Sequence, residues 1–160
     1  MEEMKGKKVS ESSITVAHYM EPQDANVAGN VHGGTIMKYI DSTAGMVAFR
    51  HARANVVTAS IQRLDFFSPV FIGNLLKLVA SINMAGRTSM EIGVRVESED
   101  LYTGEVRHTA SAYLTYVALD EHLKPKPVPP LILTTDDERR RNREAIERRN
   151  GCVRERSVAS

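Results

Sequence analysis

The chain has 160 residues, a formal net charge of +1, 42% hydrophobic residues and one cysteine. That length supports one domain with a real core, and the near balance of charge gives no global pull toward nucleic acid or a membrane surface. No apolar run is long enough to span a bilayer, Met1 to Lys8 lacks the hydrophobic stretch of a secretory signal, and Cys152 has no intrachain partner, so a cytoplasmic protein is expected.

Residues 1–11 are charged and read as a flexible amino terminus. From Ser12 to Met20 the chain alternates, with Ile14, Val16 and His18 on one side and Thr15, Ala17 and Tyr19 on the other, which is a strand. Pro22 ends it and opens a polar loop rich in Asn and Gly, Asp24 to His32, in which turns and close backbone approach are favoured. A helix follows from about Gly33 to His51, with Ile36, Met37, Ile40, Ala44, Val47 and Ala48 at helical spacing. Tyr39, Met46 and Phe49 fall on its other sides, so it is apolar nearly all round and expected to be wrapped by the rest of the domain. Asp41, two turns in, is then an acid on a buried helix.

Asn55 to Phe66 is β-branched and reads as a second strand, closed by Ser68-Pro69 and the turn Gly73-Asn74. Leu76, Leu78, Ala80, Ile82 and Met84 then alternate with polar residues up to the tight turn Ala85-Gly86-Arg87. Beyond it Met90, Ile92, Val94 and Val96 oppose Glu91, Arg95 and Glu97, which makes a hairpin. After the turn at Tyr102–Glu105, a last strand from Val106 to Leu119 puts His108, Ala110, Ala112, Leu114 and Tyr116 on one face. Strands with one apolar and one mixed face belong to an antiparallel sheet covered on one side, so the class is α+β. Lys124 to Pro130 is extended and polyproline-like. A polar helix runs from about Thr135 to Asn150, opened by a capping sequence at Thr135–Glu138, and residues 151–160 read as a disordered tail. The domain proper is expected over 12–130, with 131–160 outside it.

The stretch Asn26-Val27-Ala28-Gly29-Asn30-Val31-His32-Gly33-Gly34-Thr35-Ile36-Met37, with Asp41 four residues on, resembles the HotDog-fold acyl-CoA thioesterases of the cytosolic acyl-CoA hydrolase group. Asp65-Phe66-Phe67-Ser68-Pro69, Gly86-Arg87-Thr88-Ser89 and Ala112–Ala118 match as well. Asn74 departs from the Asp that many relatives carry there. The resemblance implies an antiparallel sheet wrapped around the central helix, to which the carboxy-terminal helix read from the residues is an extra. It also implies homodimers joined edge to edge, usually three per hexamer, and hydrolysis of acyl-CoA to free acid and coenzyme A. It further implies a site built from a loop Asn and a helix acid of opposed domains, here Asn26 and Asp41.

Thioester hydrolysis needs donors for a developing oxyanion and a base or nucleophile for the acyl carbon. The backbone N–H groups of Gly33 and Gly34, at a helix start and without side chains, suit the first role. Asp41 suits the second, as base or as attacking oxygen, and Asn26 can orient water or substrate. Lys38, one turn before Asp41, is a competing partner that would make the acid structural. Arg87, Thr88 and Ser89 are candidate contacts to the phosphates and pantetheine of coenzyme A, with Lys124 and Lys126 as further phosphate partners. His32, Thr35, Val57 and Thr58 complete the candidate substrate contacts. The histidines have no metal-ligand spacing and no Gly-x-Ser-x-Gly elbow occurs, so neither a metal nor a serine nucleophile is expected, and coenzyme A enters only as part of substrate and product. The rival readings are a HotDog dehydratase, which needs a His paired with an acid, and a non-catalytic acyl-CoA sensor.

Overall fold

The apolar segment after the glycine pair forms a 20-residue helix in the computed structural model, which describes residues 3–159. In chain order the elements are β1 (Lys7–Lys8), β2 (Ile14–Tyr19), α1 (Gly33–Ala52), β3 (Asn55–Phe66), β4 (Asn74–Ala85), β5 (Ser89–Asp100), β6 (Val106–Leu119), β7 (Leu131–Ile132) and α2 (Asp136–Ala159). Helix α1 starts at His32, an extended residue whose ring accepts the Gly34 N–H. It stops where Arg53 turns left-handed, at φ 50°, and returns its N–H to the Phe49 carbonyl.

Five antiparallel strands form one sheet in the order β2-β4-β5-β6-β3. The hairpin read from the sequence sets its centre, with Ile82 opposite Ile92 and Val94 opposite Ala112. Along β3 the register slips twice, between Thr58 and Ser60 and between Ile61 and Arg63. The inner face of the sheet carries Leu76, Leu78, Ala80, Met90, Ile92, Ala112, Leu114 and Tyr116, all at most 2% exposed, against Ile36, Ile40, Ala44, Val47 and Ala48 of α1. Small residues on both sides, among them Ala44, Ala48, Ala80 and Ala112, let helix and sheet approach closely. This is the expected α+β HotDog arrangement, one long helix against an antiparallel sheet.

Four expectations need correction. The helix is not wrapped within one chain: Met37, Met46 and Phe49 are 41%, 40% and 52% exposed, because a single sheet covers only one side of a cylinder. Asp41, accordingly, is half-buried. The sheet, in turn, is covered on both faces, since α2 lies on its outer side with Ala145 fully buried. Glu91, placed by alternation on a solvent face, is only 1% exposed and is held by Arg148 of α2 at 2.6 and 3.1 Å.

Two further corrections concern the chain ends. Residues 151–159 continue α2 rather than forming a loose tail, and Cys152, Val153 and Arg156 border a groove over Ile61, Thr115 and Val117. Lys7 and Lys8 pair with Leu131 and Ile132, Val9 is buried in the core, and the Lys7 ammonium donates to the His51 carbonyl at 2.8 Å. Segments outside 12–130 therefore join the same folded unit. Met1, Glu2 and Ser160 lie outside the described residues. The capping sequence of α2 forms as read: the Thr135 hydroxyl accepts the Glu138 N–H at 3.1 Å, and the Glu138 carboxylate accepts the Thr134 N–H. Chiefly through that Thr134 amide, the Glu138 carboxyl is held below the usual range.

Candidate active site

The loop before α1 is built around Asn26. Its side-chain oxygen accepts the N–H groups of Ala28 and Asn30 at 2.9 and 3.2 Å, and its backbone N–H donates to the Asn30 carbonyl at 2.7 Å. Those bonds make a tight turn in which Gly29 adopts φ 88°, a value only glycine takes readily. They use the amide oxygen of Asn26, while its NH2 makes no hydrogen bond among the described residues. Asn26, Gly33, Ile36, Phe66, Phe67 and Val70 share a cleft of about 360 Å3.

The glycine pair is divided in its duties. Gly34 gives its N–H to His32 Nδ1 at 2.9 Å, so this amide is taken up by the cap and the expectation of two free donors is corrected. An ideal Cβ on Gly34 would sit 3.0 Å from the same ring nitrogen, so a larger residue here would make the ring give by a few tenths of an ångström. Gly33, among the described residues, has no partner for its N–H and lines the cleft. His32 accepts through Nδ1, so its neutral ring carries the proton on Nε2. In that state Nε2 is a donor and cannot act as a base. Thr35 is half-buried in the first turn, its N–H donating to the His32 carbonyl at 2.9 Å.

Asp41 lies eight residues beyond Gly33, about 12 Å along the helix axis at 1.5 Å per residue. Its carboxylate is held by hydroxyls. Thr58 Oγ1 donates to Oδ1 at 2.8 Å, and Tyr116 Oη lies 2.7 Å from the same oxygen and 2.7 Å from the Asp41 carbonyl. Oδ2 has no hydrogen bond among the described residues, and no ion pair there joins Lys38 to Asp41. The competing structural pairing is thus replaced by two neutral donors. Burial, and next the bond to Asp41, push the Tyr116 phenol up from its usual range, so it remains a donor at any working pH.

Thr58 and Tyr116 are register partners on β3 and β6, so both side chains project from the inner face toward α1. Val57, next in sequence, projects to the other face and does not join Thr58 at Asp41. Tyr116 was missed as a site residue, having been read as part of an apolar face. The available signal was the phenol itself, since a buried Tyr hydroxyl seeks a partner.

The third group lies at the turn between β4 and β5. The Arg87 carbonyl accepts the Val128 N–H at 2.9 Å, the Thr88 carbonyl accepts the Ala118 N–H at 3.0 Å, and Lys126 N–H reaches Ala118 at 2.8 Å. The exposed Arg87 is therefore brought beside the segment that carries Lys124 and Lys126. Ser89 departs from this group and borders the groove under α2, near Arg149. Among the described residues no three metal-ligating side chains gather in one place, and no helix is long and apolar enough to cross a membrane.

One long helix against one antiparallel sheet is the HotDog fold. The thioesterase superfamily profile matches residues 28–105. An uncharacterized acyl-CoA thioester hydrolase of Bacillus subtilis is 37% identical over 88% of this chain and 81% of its own length. The mouse cytosolic acyl coenzyme A thioester hydrolase is 37% identical over 83% of this chain, which spans only 35% of that longer protein. Among solved structures, a hexameric acyl-CoA thioesterase without ligand matches with TM-score 0.93 and 38% identity, over 97% of this chain and 99% of the other. An acyl-CoA hydrolase from Staphylococcus aureus, in complex with butyryl coenzyme A and coenzyme A, matches with TM-score 0.88 and 37% identity over 96% and 93%. The chain belongs to the acyl-CoA thioester hydrolases of the thioesterase superfamily.

Proposed function

We propose that this chain hydrolyses fatty acyl-CoA to free fatty acid and coenzyme A, in sites shared between two copies of itself. The reading is carried by the separation of its two half-sites. A carbonyl under attack must lie about 3 Å from both its oxyanion donor and its base or nucleophile. Gly33 and Asp41 of one chain, about 12 Å apart along α1, cannot both reach it. Gly33 and Asn26 of one copy facing Asp41 of another can. The Gly33 amide then polarises the thioester oxygen, the Asn26 NH2 orients water or substrate, and Oδ2 of Asp41 draws a proton from water or attacks the acyl carbon itself. The thiolate of coenzyme A leaves, and no cofactor beyond the substrate's own coenzyme A takes part.

Two further observations support this reading. Variants of the Staphylococcus aureus relative in which an Asp, an Asn or a Thr is changed to Ala have been solved. Those three positions are spaced along that chain as Asp41, Asn26 and Thr58 are spaced here. A hexameric relative supports a homo-oligomer, and the grouping of three dimers in a hexamer is part of this proposal. Arg87, Thr88 and Lys124 form the edge at which the phosphates of coenzyme A would rest, with a proton-donating Nε2 on His32 at the cleft rim. The same Nε2 proton removes the base that a dehydratase would need.

The deciding measurement is release of free thiol from a panel of acyl-CoAs from acetyl to palmitoyl. Wild-type protein is expected to turn over at least one of them, and Asp41→Ala to lose at least about 10³-fold in kcat while keeping its oligomeric state. Acyl-CoA bound without turnover by the wild-type protein would make it a sensor, and an Asp41→Ala variant with normal turnover would reject the assignment.

A further inference from the structure

We propose that Tyr116 is a positioning residue for Asp41: its phenol, together with the Thr58 hydroxyl, fixes one carboxylate oxygen so that the other is the one presented to the acyl carbon. This rests on Asp41 being the reactive acid. Tyr116 is 2% exposed and sits opposite Thr58 in the β3–β6 ladder, so the two hydroxyls approach α1 side by side. Both donate to Oδ1, at 2.7 and 2.8 Å. Two donors on one oxygen hold the carboxylate plane against rotation about its last torsion, which is otherwise soft. Oδ2, without a partner among the described residues, is thereby set in direction.

The phenol is itself fixed. Its oxygen also lies 2.7 Å from the Asp41 backbone carbonyl, so it is referenced to the helix as well as to the carboxylate. The single proton goes to the charged acceptor, the stronger of the two. Gly45, one helical turn beyond Asp41, makes room for the ring: an ideal Cβ there would stand 3.6 Å from Tyr116 Cε1, in ordinary contact. A methyl would fit and a branched side chain would push the ring aside. Phenylalanine at 116 would fill the same space, so packing alone does not require the oxygen.

The test is steady-state hydrolysis by the assembled protein, in a cycle of Tyr116→Phe and Asp41→Asn. Tyr116→Phe is expected to lower kcat by about tenfold to hundredfold, as loss of a hydrogen bond to a charged group does. KM should stay within about twofold, since substrate binding is untouched. In the Asp41→Asn background the same change is expected to have no further effect on the residual rate, because it acts through the carboxylate. A tyrosine that matters only for packing would cause the same fractional loss in both backgrounds, and that result, or an unimpaired Tyr116→Phe, overturns the inference. A fully active Asp41→Asn would overturn the role of Asp41 and this inference with it. Should Tyr116→Phe fail to assemble, Gly45→Val displaces the ring from the helix side and is expected to give the same fall in kcat at constant KM; an unchanged kcat there overturns the inference.

Discussion

At the scale of single residues, His51 joins more parts of the chain than any motif suggested. Its ring is fully buried at the last turn of α1, Nε2 donates to the Pro129 carbonyl at 2.8 Å, and Nδ1 has no partner among the described residues. Its pKa is lowered from 6.5, first by burial, against the Pro129 bond that raises it, and with a smaller push from the Lys7 charge. Between the ordinary value and the lowered one the unfolded chain takes up a proton that the folded chain refuses. Stability therefore holds above about pH 6.5 and falls as the pH drops through that window. His51→Gln, which keeps a donor for Pro129, is expected to show a smaller drop in urea midpoint between about pH 7.5 and pH 5.5 than the wild type. An equal drop would assign the acid sensitivity to other groups. Asp41 was conspicuous as an acid inside an apolar helix and Gly33 as part of a glycine pair at a helix start, whereas Asn26 was marked only by the family resemblance. Tyr116 and His51 sit among apolar residues at regular spacing, and their polar ends became visible only once partners from distant segments were in place.

At the scale of elements, α1 and the strands β3 to β6 were legible because period and length agree: alternation over a dozen residues or a 3.6-residue repeat over twenty leaves little choice. The short strands β1 and β7 were not legible, since two-residue ladders carry no period and form by pairing across the whole chain. Helix α2 was readable as a helix but not as a packed one. Its docking rests on Arg148, which spans Glu91 at 2.6 Å and lies 3.7 Å above the Tyr113 ring, and on Asn142, which donates to the Asn83 carbonyl at 3.0 Å. Glu91 and Arg148 are 57 residues apart, and neither looks unlike a surface charge in isolation. Arg148→Ala leaves Glu91 buried with only Asn83 beside it, and is expected to destabilise by about 3 kcal/mol in urea unfolding. Arg148→Met with Glu91→Met should recover much of that loss, because removing both charges also removes the desolvation. A single variant as stable as wild type would mean that α2 does not need the pair.

At the scale of the whole molecule, the exposed side of α1 and the division of the site point the same way. Met37, Met46 and Phe49 leave apolar surface on the side of the helix away from its own sheet. In the function proposed above, Asn26 and Asp41 act from different chains of a pair. Mixing equal amounts of Asn26→Ala and Asp41→Ala subunits, each impaired alone, is expected to restore about a quarter of the sites under free exchange, because half the dimers are mixed and one of the two sites in each unites an intact Asn26 with an intact Asp41. No recovery after verified exchange would count against a shared site.

Strand β3 forms one border of the sheet. The double slip in β3 spaces its hydrogen-bonding rungs unevenly, with one surplus residue after Thr58 and another after Ile61. An even ladder would welcome almost any extended peptide, which is how sheets recruit strangers and grow into fibres. A ladder with two misplaced rungs is a poor template for such strangers. The margin of the protein thus resists unselective pairing at the two places where it breaks step.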